Sequence, residues 1–411
     1  MEEVYRKLTR CRICNSEDLI KYLDLGATPL ANSLLDEKNL DKKESRFPLE
    51  VLYCNNCSLS QLSIVVDPKV LFSEYVYRSS ISKTFESHCR QMAETVSNMM
   101  DGKGNLIVDI ASNDGCLLQQ FKDCGFRTLG IEPAENLVKI AQAIGIETEG
   151  LFWDMDAAEK ILKKYGKAKV ITATNVLAHV DDLGEFLKAV NVLLDENGLF
   201  IVEVPYLHDL LAKNEFDTIY HEHLSYFLVK PLQTLYRKNG LAINKIEKFQ
   251  IHGGSIRIYA SNDSSKSDKS IDEFLSMEKN SGLYSIEAYK SFDNKVKKIK
   301  EDLIKLLKEL KSQNKKVAAY GASAKGNTLL NYCNANKDLI KFIVEDTPEK
   351  QNKFAPGSRI PIKDASYLEK ENPDFLVMLA WNFAKEIMQK TEGFRKRGGK
   401  YIIPIPEVKV E

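Results

Sequence analysis

Short apolar runs that alternate with amphipathic segments dominate the chain from about residue 84 onward. Apolar positions recur at helical spacing over 84–100, and the apolar run 105–110 then leads into the polar loop 111–115 and a helix-like segment at 116–121. Further apolar runs predict strands at 128–132, 170–174 and 199–204. Strands that alternate with helices are typical of a parallel sheet covered by helices on both faces, so an α/β fold is expected.

A second set of such elements follows the polar stretch 261–268, which indicates a linker. Apolar residues from 292 to 310 lie at steps of three and four, and they predict a long amphipathic helix with a solvated, lysine-rich outer face. Strands are predicted after it at 317–321, 342–344, 375–380 and 401–403. The chain is therefore expected to hold two doubly wound α/β modules, at residues 75–262 and 263–411.

The first 74 residues contain few periodic apolar stretches but two Cys-x-x-Cys motifs. Cys11 and Cys14 form one pair and Cys54 and Cys57 the other, with 39 residues between the pairs. Two tight turns that each present two thiolates can complete one tetrahedral Zn²⁺ site, and four sulfur ligands leave no open position for substrate. A thioredoxin-like redox role needs only one such pair at a helix start, so it is the less favoured alternative. Residues 1–74 are predicted to be a small module held by structural zinc.

Charge and composition exclude several classes of protein. The 58 Lys and Arg residues balance 58 Asp and Glu residues, so the chain lacks the broad basic field typical of nucleic-acid binding. Hydrophobic residues make up 44% of the 411 positions, too many for a largely disordered chain. The start lacks the features of a signal peptide, and the longest apolar run, 375–381, is far shorter than a membrane span. We expect a soluble, cytoplasmic protein with neither a nucleic-acid nor a membrane partner.

The first candidate site combines Asp109, the loop that ends in Gly115, and Glu132. A glycine in this turn lets a ligand approach the backbone, and a carboxylate that ends the next strand can accept both hydroxyls of a ribose. A dinucleotide and S-adenosylmethionine (SAM) both fit these features. Asp109 favours SAM, because it would repel a pyrophosphate but attract the ammonium group of a methionine moiety. Ala111 and Asn113 stand where glycine is common in methyltransferase loops.

Titratable side chains are concentrated at two further places. The segment 175–179, which ends in His179, follows a predicted strand at the edge where open α/β sheets bind ligands, so this histidine either touches substrate or caps a loop. The Tyr-His-Glu-His block at 220–223 packs four polar groups together, which is seldom needed for folding alone. His221 and His223 are also a candidate zinc pair, although no third ligand is apparent nearby. Catalysis is the favoured interpretation of the block, with metal binding and a structural role as alternatives.

A loop of small residues at 320–326 follows the strand predicted at 317. Lys325 and these small residues, at the N-terminus of a helix, are suited to hold an anion. Tight packing between strand and helix explains the small residues equally well. Glu345 and Asp346 end the next strand, where a ribose-binding acid would stand.

Taken together, these features resemble the nucleotide-sugar C-methyltransferases of deoxysugar biosynthesis, which use SAM to methylate C3 of a 4-keto-6-deoxy sugar carried on a nucleoside diphosphate. The motifs that carry the resemblance are Cys11/Cys14/Cys54/Cys57, Tyr75-Val-Tyr-Arg-Ser-Ser80, Ser112-Asn-Asp-Gly115, Glu203-Val-Pro-Tyr206, Tyr220-His-Glu-His223, His252-Gly-Gly-Ser255, Tyr320-Gly-Ala-Ser-Ala-Lys-Gly326 and Pro356-Gly-Ser-Arg-Ile-Pro361. The resemblance implies a zinc-binding N-terminal domain, a SAM-binding middle domain and a Rossmann-like C-terminal domain that binds the nucleotide sugar. The active site is then expected between the middle and C-terminal domains.

The resemblance also implies a role for each matching residue. The catalytic set is Tyr220, Glu222, His223 and His179, with His223 as the proposed base. The cofactor-binding set is Asp109, Ala111, Asn113, Gly115, Glu132 and Asn175. The substrate-binding set is Tyr77, His252, Ser255, Lys325 and Arg359. The sequence departs from the family pattern at two places. Cys116 stands where an aromatic residue commonly follows the glycine, and Glu345-Asp346 replaces a more usual Val-Asp. These departures bear on the details of the substrate and not on the class of reaction.

The residue types agree with this chemistry. A carbon next to a ketone becomes a nucleophile when its proton is removed, and a histidine near neutrality is a suitable base. Tyr220 or His179 could donate to the enolate oxygen, with Glu222 or His179 as alternative bases. Two other function classes are alternatives to this one: a nicotinamide-dependent oxidoreductase that uses the Gly321 loop, and a scaffold that binds nucleotides without catalysis. The oligomeric state is left open, with a monomer among the possibilities.

Overall fold

The computed structural model describes residues 5–71, 80, 83–100, 103–251 and 253–411. The N-terminal elements are β1 (Tyr5–Lys7), β2 (Leu19–Thr28), β3 (Phe47–Cys54), β4 (Ser60–Leu62), β5 (Ile64–Val66) and α1 (Pro68–Leu71). Strands β2, β3 and β4 pair in antiparallel fashion, and β1 pairs with β5. The buried positions of β3 alternate with partly exposed ones, as a sheet with one covered face requires. The sequence pattern did not reveal these strands.

The middle of the chain forms a mixed sheet with flanking helices. Its elements are α2 (Lys83–Met99), β6 (Leu106–Ile110), α3 (Cys116–Asp123), β7 (Arg127–Ile131), α4 (Glu135–Ala143), β8 (Thr148–Glu149), α5 (Met155–Tyr165), β9 (Ala168–Thr174), α6 (Leu183–Leu193), β10 (Leu194–Pro205), α7 (Leu207–Ala212), β11 (Ser225–Tyr226), α8 (Val229–Lys238), β12 (Ala242–Phe249) and β13 (Ser255–Ser261). The strand order is β12-β13-β10-β9-β6-β7-β8. Strands β6 to β10 run parallel, and β13 runs antiparallel to both β10 and β12.

The parallel strands are buried on both faces. All five residues of β6 are buried, because helices cover each side of the sheet. The predicted alternation of strands and helices is therefore confirmed, whereas the antiparallel pair at the edge was not predicted.

The C-terminal part repeats this architecture. Its elements are α9 (Ser270–Asn280), α10 (Ile286–Ser312), β14 (Val317–Tyr320), α11 (Ala324–Tyr332), β15 (Ile343–Val344), β16 (Ile362–Lys363), α12 (Tyr367–Glu371), β17 (Phe375–Met378), α13 (Ala384–Lys390), α14 (Glu392–Lys396), β18 (Lys400–Ile403) and β19 (Lys409–Val410). The strand order is β16-β15-β14-β17-β18-β19, parallel except for β19. The predicted α/β class is confirmed for both modules, while the predicted domain boundaries remain predictions.

Helix α10 carries the predicted apolar stripe. Its inner face packs against the N-terminal module, where the Tyr289 ring lies between the rings of Tyr22 and Tyr53, with centroids 4.9 and 4.7 Å away. The C-terminal part is thereby packed directly against the N-terminal module.

Strand β11 joins the N-terminal module to the middle of the chain. It pairs with β4, so that Ser225 lies opposite Gln61 and Tyr226 opposite Ser60. The Tyr-His-Glu-His block directly precedes β11, and the block is therefore held at the edge of the N-terminal sheet.

A buried charge cluster fixes α2 to the middle sheet. His88 Nε2 lies 2.7 Å from an oxygen of Glu203 on β10, and the Nε of Arg257 on β13 donates to the other oxygen over 3.0 Å. All three residues are at least nine-tenths buried, and each charge has an opposite or hydrogen-bonding partner.

Among the described helices, none combines the length and the apolar character that crossing a bilayer requires.

Candidate functional site

The four predicted cysteine ligands meet at one point of the N-terminal module. Their sulfur atoms all lie within 4.8 Å of one another, and the pairs Cys11–Cys57 and Cys14–Cys54 are each separated by 3.5 Å. A tetrahedral ion with bonds of about 2.3 Å would separate its sulfur ligands by roughly 3.8 Å. The donor set and its spacing therefore fit Zn²⁺. Among the described residues, this is the one group of side chains close enough together to hold a metal ion, and His221 and His223 form no such group.

The loop after β6 has a left-handed backbone conformation at three positions. Ala111 and Asn113 have φ of 55° and 53°, so the residues that stand in place of glycines adopt left-handed conformations themselves. Gly115 has φ of 81°, and a Cβ there would lie 3.3 Å from the side chains of Ala141 and Ile146. The loop is therefore shaped as in a nucleotide-binding turn although it has only one glycine.

Glu132 follows β7 and braces this loop. One carboxylate oxygen accepts from the backbone N–H of Asn113 and the other from that of Ala134, both over 2.9 Å. Each oxygen keeps a lone pair for a further donor such as a ribose hydroxyl. Burial raises the pKa of Glu132, and the two backbone hydrogen bonds oppose that rise.

Two other residues predicted to bind cofactor lie beside this loop, on neighbouring strands. Asp109 is buried in β6 and accepts a hydrogen bond from Thr172 on β9 over 2.6 Å. Burial raises the pKa of Asp109 to about 7, which reduces its negative charge near neutrality. Asn175 follows β9 with φ of 58°, and its buried side-chain oxygen Oδ1 accepts no hydrogen bond within the described structure. Such an acceptor is suited to a polar ligand at this edge of the sheet.

Tyr220 and His223 form a hydrogen-bonded pair. The tyrosine hydroxyl lies 2.9 Å from Nε2 of His223, and Nδ1 of the same ring lies 2.9 Å from the carbonyl oxygen of Thr218. A carbonyl can only accept, so Nδ1 carries the proton and Nε2 is the basic nitrogen. The Thr218 carbonyl thereby fixes the tautomer that a general base needs.

His179 lies beside this pair. Its ring centroid is 4.9 Å from that of His223, with the planes at 75°. Burial lowers the pKa of His179 to about 4, although hydrogen bonds to the backbone of Glu222 and Asn175 oppose the shift. His179 is therefore neutral at physiological pH and adds no positive charge next to His223.

The other two residues of the block face the N-terminal module. The Nε2 of His221 lies 3.2 Å from the carbonyl oxygen of Pro48, and its ring packs edge-on against Phe47. Burial lowers its pKa to about 4, and these contacts match the structural alternative for this residue. Glu222 is 4% exposed, and its Oε1 accepts from the side-chain amide of Asn32 over 2.6 Å.

The C-terminal loop repeats the geometry of the loop after β6. One oxygen of Glu345 accepts from the backbone N–H of Ala322 and the other from that of Thr347, over 2.8 and 2.9 Å. This is the arrangement that Glu132 makes with Asn113 and Ala134. The C-terminal sheet therefore presents a second turn that is braced by a carboxylate in the same way.

Lys325 lies at the junction with the middle sheet. Its ammonium is 5.3 Å from the ring centre of Trp381, and the indole N–H donates to Asp217 over 2.7 Å. Burial raises the pKa of Asp217, and the charge of Lys325 opposes that rise. Asp217 directly precedes Thr218, whose carbonyl oxygen contacts His223, so the Trp381–Asp217 hydrogen bond joins the C-terminal part to the segment that holds His223.

The remaining predicted substrate residues are more dispersed. Ser255 begins β13, is buried, and donates to the carbonyl oxygen of Ile251 over 3.2 Å. Arg359 pairs with Glu44 and donates to the carbonyl oxygen of Lys42, which ties the C-terminal part to the N-terminal module. Tyr77 and His252 lie outside the described residues.

Sequence reasoning missed Asn32, Asp217, Trp381 and Glu215. Glu215 is buried, and a Cβ at Gly253 would meet its carboxylate at 2.1 Å, so Gly253 makes room for Glu215, as Gly254 does for Asp209. Burial raises the pKa of Glu215 to about 7. These residues belong to no common sequence motif. Only the adjacent glycines at 253–254 indicated a position where another group comes close to the backbone.

Comparisons with known proteins cover all three parts of the chain. Family models match residues 11–72 ("Putative zinc binding domain"), 84–246 ("Methyltransferase domain") and 250–406 ("C-methyltransferase C-terminal domain"). The C-methyltransferase NovU of Streptomyces niveus is 35% identical over 413 residues, which covers 100% of this chain and 98% of that protein. Magnesium protoporphyrin IX methyltransferase (ChlM) from Synechocystis, solved with bound SAM, is 13% identical with a TM-score of 0.34 over 43% of this chain and 79% of that one.

Proposed function

The chain belongs to the family of SAM-dependent C-methyltransferases, and from this premise we propose that it methylates C3 of a 4-keto-6-deoxy sugar carried on a nucleoside diphosphate. The family assignment confirms the resemblance drawn from the sequence. Its cofactors are SAM and a structural zinc ion, as predicted. SAM supplies the electrophilic methyl group when it is bound.

The observation that carries the proposal is the 2.9 Å contact between Nδ1 of His223 and the carbonyl oxygen of Thr218. Because the Thr218 carbonyl holds the proton on Nδ1, Nε2 carries the lone pair of the ring. Nε2 can accept the proton from the carbon next to a ketone once the Tyr220 hydroxyl, which donates to it in this structure, turns toward the substrate. The neutral neighbour His179 supports this role, since a charged one would disfavour the imidazolium that forms. His223 is therefore the proposed base.

The enolate that forms needs hydrogen-bond donors at its oxygen. Tyr220 lies within 2.9 Å of Nε2 of His223, so its hydroxyl is close to the sugar carbon when His223 acts on it. A neutral His179 is a second candidate donor because its ring lies against that of His223. Transfer of the methyl group to C3 then restores the ketone, and the abstracted proton stays on His223 until it passes to solvent.

The C-terminal turn is the proposed site for the nucleotide. Glu345 has the geometry of a ribose acceptor, and Lys325 in the first turn of α11 offers positive charge for the diphosphate. Lys325 is also near Asp217, so a substrate bound there would reach toward His223. Residues on both sheets would thus hold one substrate between them.

Mass spectrometry tests the proposed substrate. The zinc-loaded protein is incubated with SAM and a panel of nucleotide-linked 4-keto-6-deoxy sugars, with the corresponding 4-hydroxy sugars as controls. We expect one or more keto sugars to gain a single methyl group and the hydroxy sugars to gain none, because only a ketone acidifies the neighbouring C–H. Absence of any methyl gain from a protein that binds SAM would refute the proposed substrate class.

The Glu132→Ala variant tests the cofactor site. We expect SAM to bind about 10- to 100-fold more weakly, because hydrogen bonds to a charged group contribute roughly 1.5–3 kcal/mol. Calorimetric titration with SAM measures the change. Glu345→Ala is the matched control, since it removes the equivalent carboxylate from the other sheet, and it should leave SAM affinity unchanged. Equal weakening by both variants would contradict the placement of SAM at the loop after β6.

A further inference from the structure

A turn of the N-terminal module reaches both other parts of the chain at the active site. Asn32 donates from Nδ2 to Glu222 over 2.6 Å, and the carbonyl oxygen of its neighbour Ala31 accepts from Asn327 of α11 over 2.7 Å. Leu35 and Phe354 exchange backbone hydrogen bonds of 2.9 and 2.8 Å. The turn is therefore clamped by the C-terminal part while it contacts the catalytic block.

The hydrogen bond between Asn32 and Glu222 joins an exposed side chain to a buried one. Glu222 is 4% exposed, whereas Asn32 is exposed. The hydrogen bond therefore runs from a solvent-exposed amide to a buried carboxylate.

Few groups control the charge of Glu222. The titratable neighbours of Glu222 in its own segment are Tyr220, His221 and His223. The turn after β9 adds a fourth titratable neighbour, His179, which contacts the Glu222 backbone. Among the described residues, no charged side chain offsets the burial of Glu222. Burial raises its pKa to about 7, and the hydrogen bond from Asn32 is the one contribution that lowers it. The amide of Asn32 therefore favours the ionised form.

We propose that Asn32 is a positioning residue of the active site, through which the zinc module orients the carboxyl group of Glu222 by a direct hydrogen bond. The use of Glu222 in catalysis rests on the proposed function, but the contact itself does not. Under this proposal the zinc module contributes a residue to the active site in addition to stabilising the fold.

Infrared titration of the zinc-loaded protein tests the proposal without substrate. The carboxyl band of Glu222 is identified by its loss in Glu222→Gln. We expect Asn32→Ala to raise the midpoint of that band by about one to two pH units, because an amide donor to a carboxylate is removed. Asn32→Asp should raise it further, since two adjacent carboxyl groups cannot both ionise readily.

The neighbouring substitution Ser33→Ala is the matched control, because it alters the same turn without removing the amide that contacts Glu222. It should leave the midpoint unchanged. A midpoint that stays constant in both Asn32 variants would overturn the proposal, as would an equal shift in Ser33→Ala. Thermal unfolding and zinc content of each variant establish that the module is still folded.

Kinetics then separate positioning from a purely structural role. In Asn32→Ala the acid limb of the kcat/KM profile should move to higher pH, because Glu222 becomes protonated at higher pH, while SAM affinity is unchanged. His223, which must also be unprotonated to act as base, contributes to the same limb and does not contact Asn32, so the limb should move in the direction of the infrared midpoint but by a smaller amount. A fall in kcat with an unmoved acid limb would overturn the proposal in favour of a structural role. If the wild-type protein methylates no 4-keto sugar, the proposed substrate fails, and the infrared result still decides the role of Asn32.

Discussion

His223→Asn is expected to lower the rate of methyl transfer about 10²- to 10⁴-fold, the contribution of a well-placed general base. The variant keeps a side chain of similar polarity but loses the basic nitrogen that lies 2.9 Å from the Tyr220 hydroxyl. Exchange of the sugar C3 proton with deuterated solvent should fall in parallel, because exchange and methyl transfer share the same deprotonation. Nuclear magnetic resonance of the sugar in deuterated buffer, together with mass spectrometry of the methylated product, measures both rates.

Two other variants complete this test. His208→Asn changes a histidine on α7 that contacts Asp209 and Ser281, and it should leave both rates near wild type. Tyr220→Phe should slow methyl transfer less than His223→Asn, if Tyr220 shares stabilisation of the enolate oxygen with His179. A folded His223→Asn protein with near-normal proton exchange would falsify the assignment of His223 as base and transfer that role to Glu222 or His179.

Cys54→Ser is expected to unfold the N-terminal module. Structural zinc contributes roughly 10–16 kcal/mol of apparent binding free energy, which equals or exceeds the total stability of most domains, about 5–15 kcal/mol. We expect the zinc content to fall below one ion per chain and the module to become sensitive to protease. Activity should fall with it, because β11 pairs with β4 and Asn32 contacts Glu222.

The control for this experiment is Cys124→Ser, which makes the same chemical change at a partly buried cysteine outside the cluster. It should retain zinc, protease resistance and activity. Atomic spectroscopy and limited proteolysis are the measurements. Active, protease-resistant Cys54→Ser protein without zinc would contradict a structural role for the metal.

Local spacing in the sequence determined the cofactors and the fold class. Two Cys-x-x-Cys pairs define a zinc site because each pair needs only a tight turn to present both sulfur atoms. The apolar runs around Asp109 and Glu132 define strands of a parallel sheet, because full burial on both faces demands continuous apolar character. The Tyr-His-Glu-His block identified the family, since its four polar side chains are adjacent along the chain.

Only the tertiary structure decided what each residue of that block contacts. His221 and His223 are two positions apart, yet one packs against Phe47 and the other contacts Thr218 and Tyr220. A sequence pattern cannot distinguish them, because the direction of a side chain in an irregular turn depends on what packs around it.

The same limit applies to contacts between parts of the chain. Asn32 and Glu222 are 190 residues apart, and Asp217 and Trp381 are 164 residues apart. Neither pair has a local pattern that periodicity or motif spacing could reveal. These contacts exist because the N-terminal module, the middle sheet and the C-terminal sheet pack against one another around the block, and that packing depends on buried surfaces distributed over the whole chain.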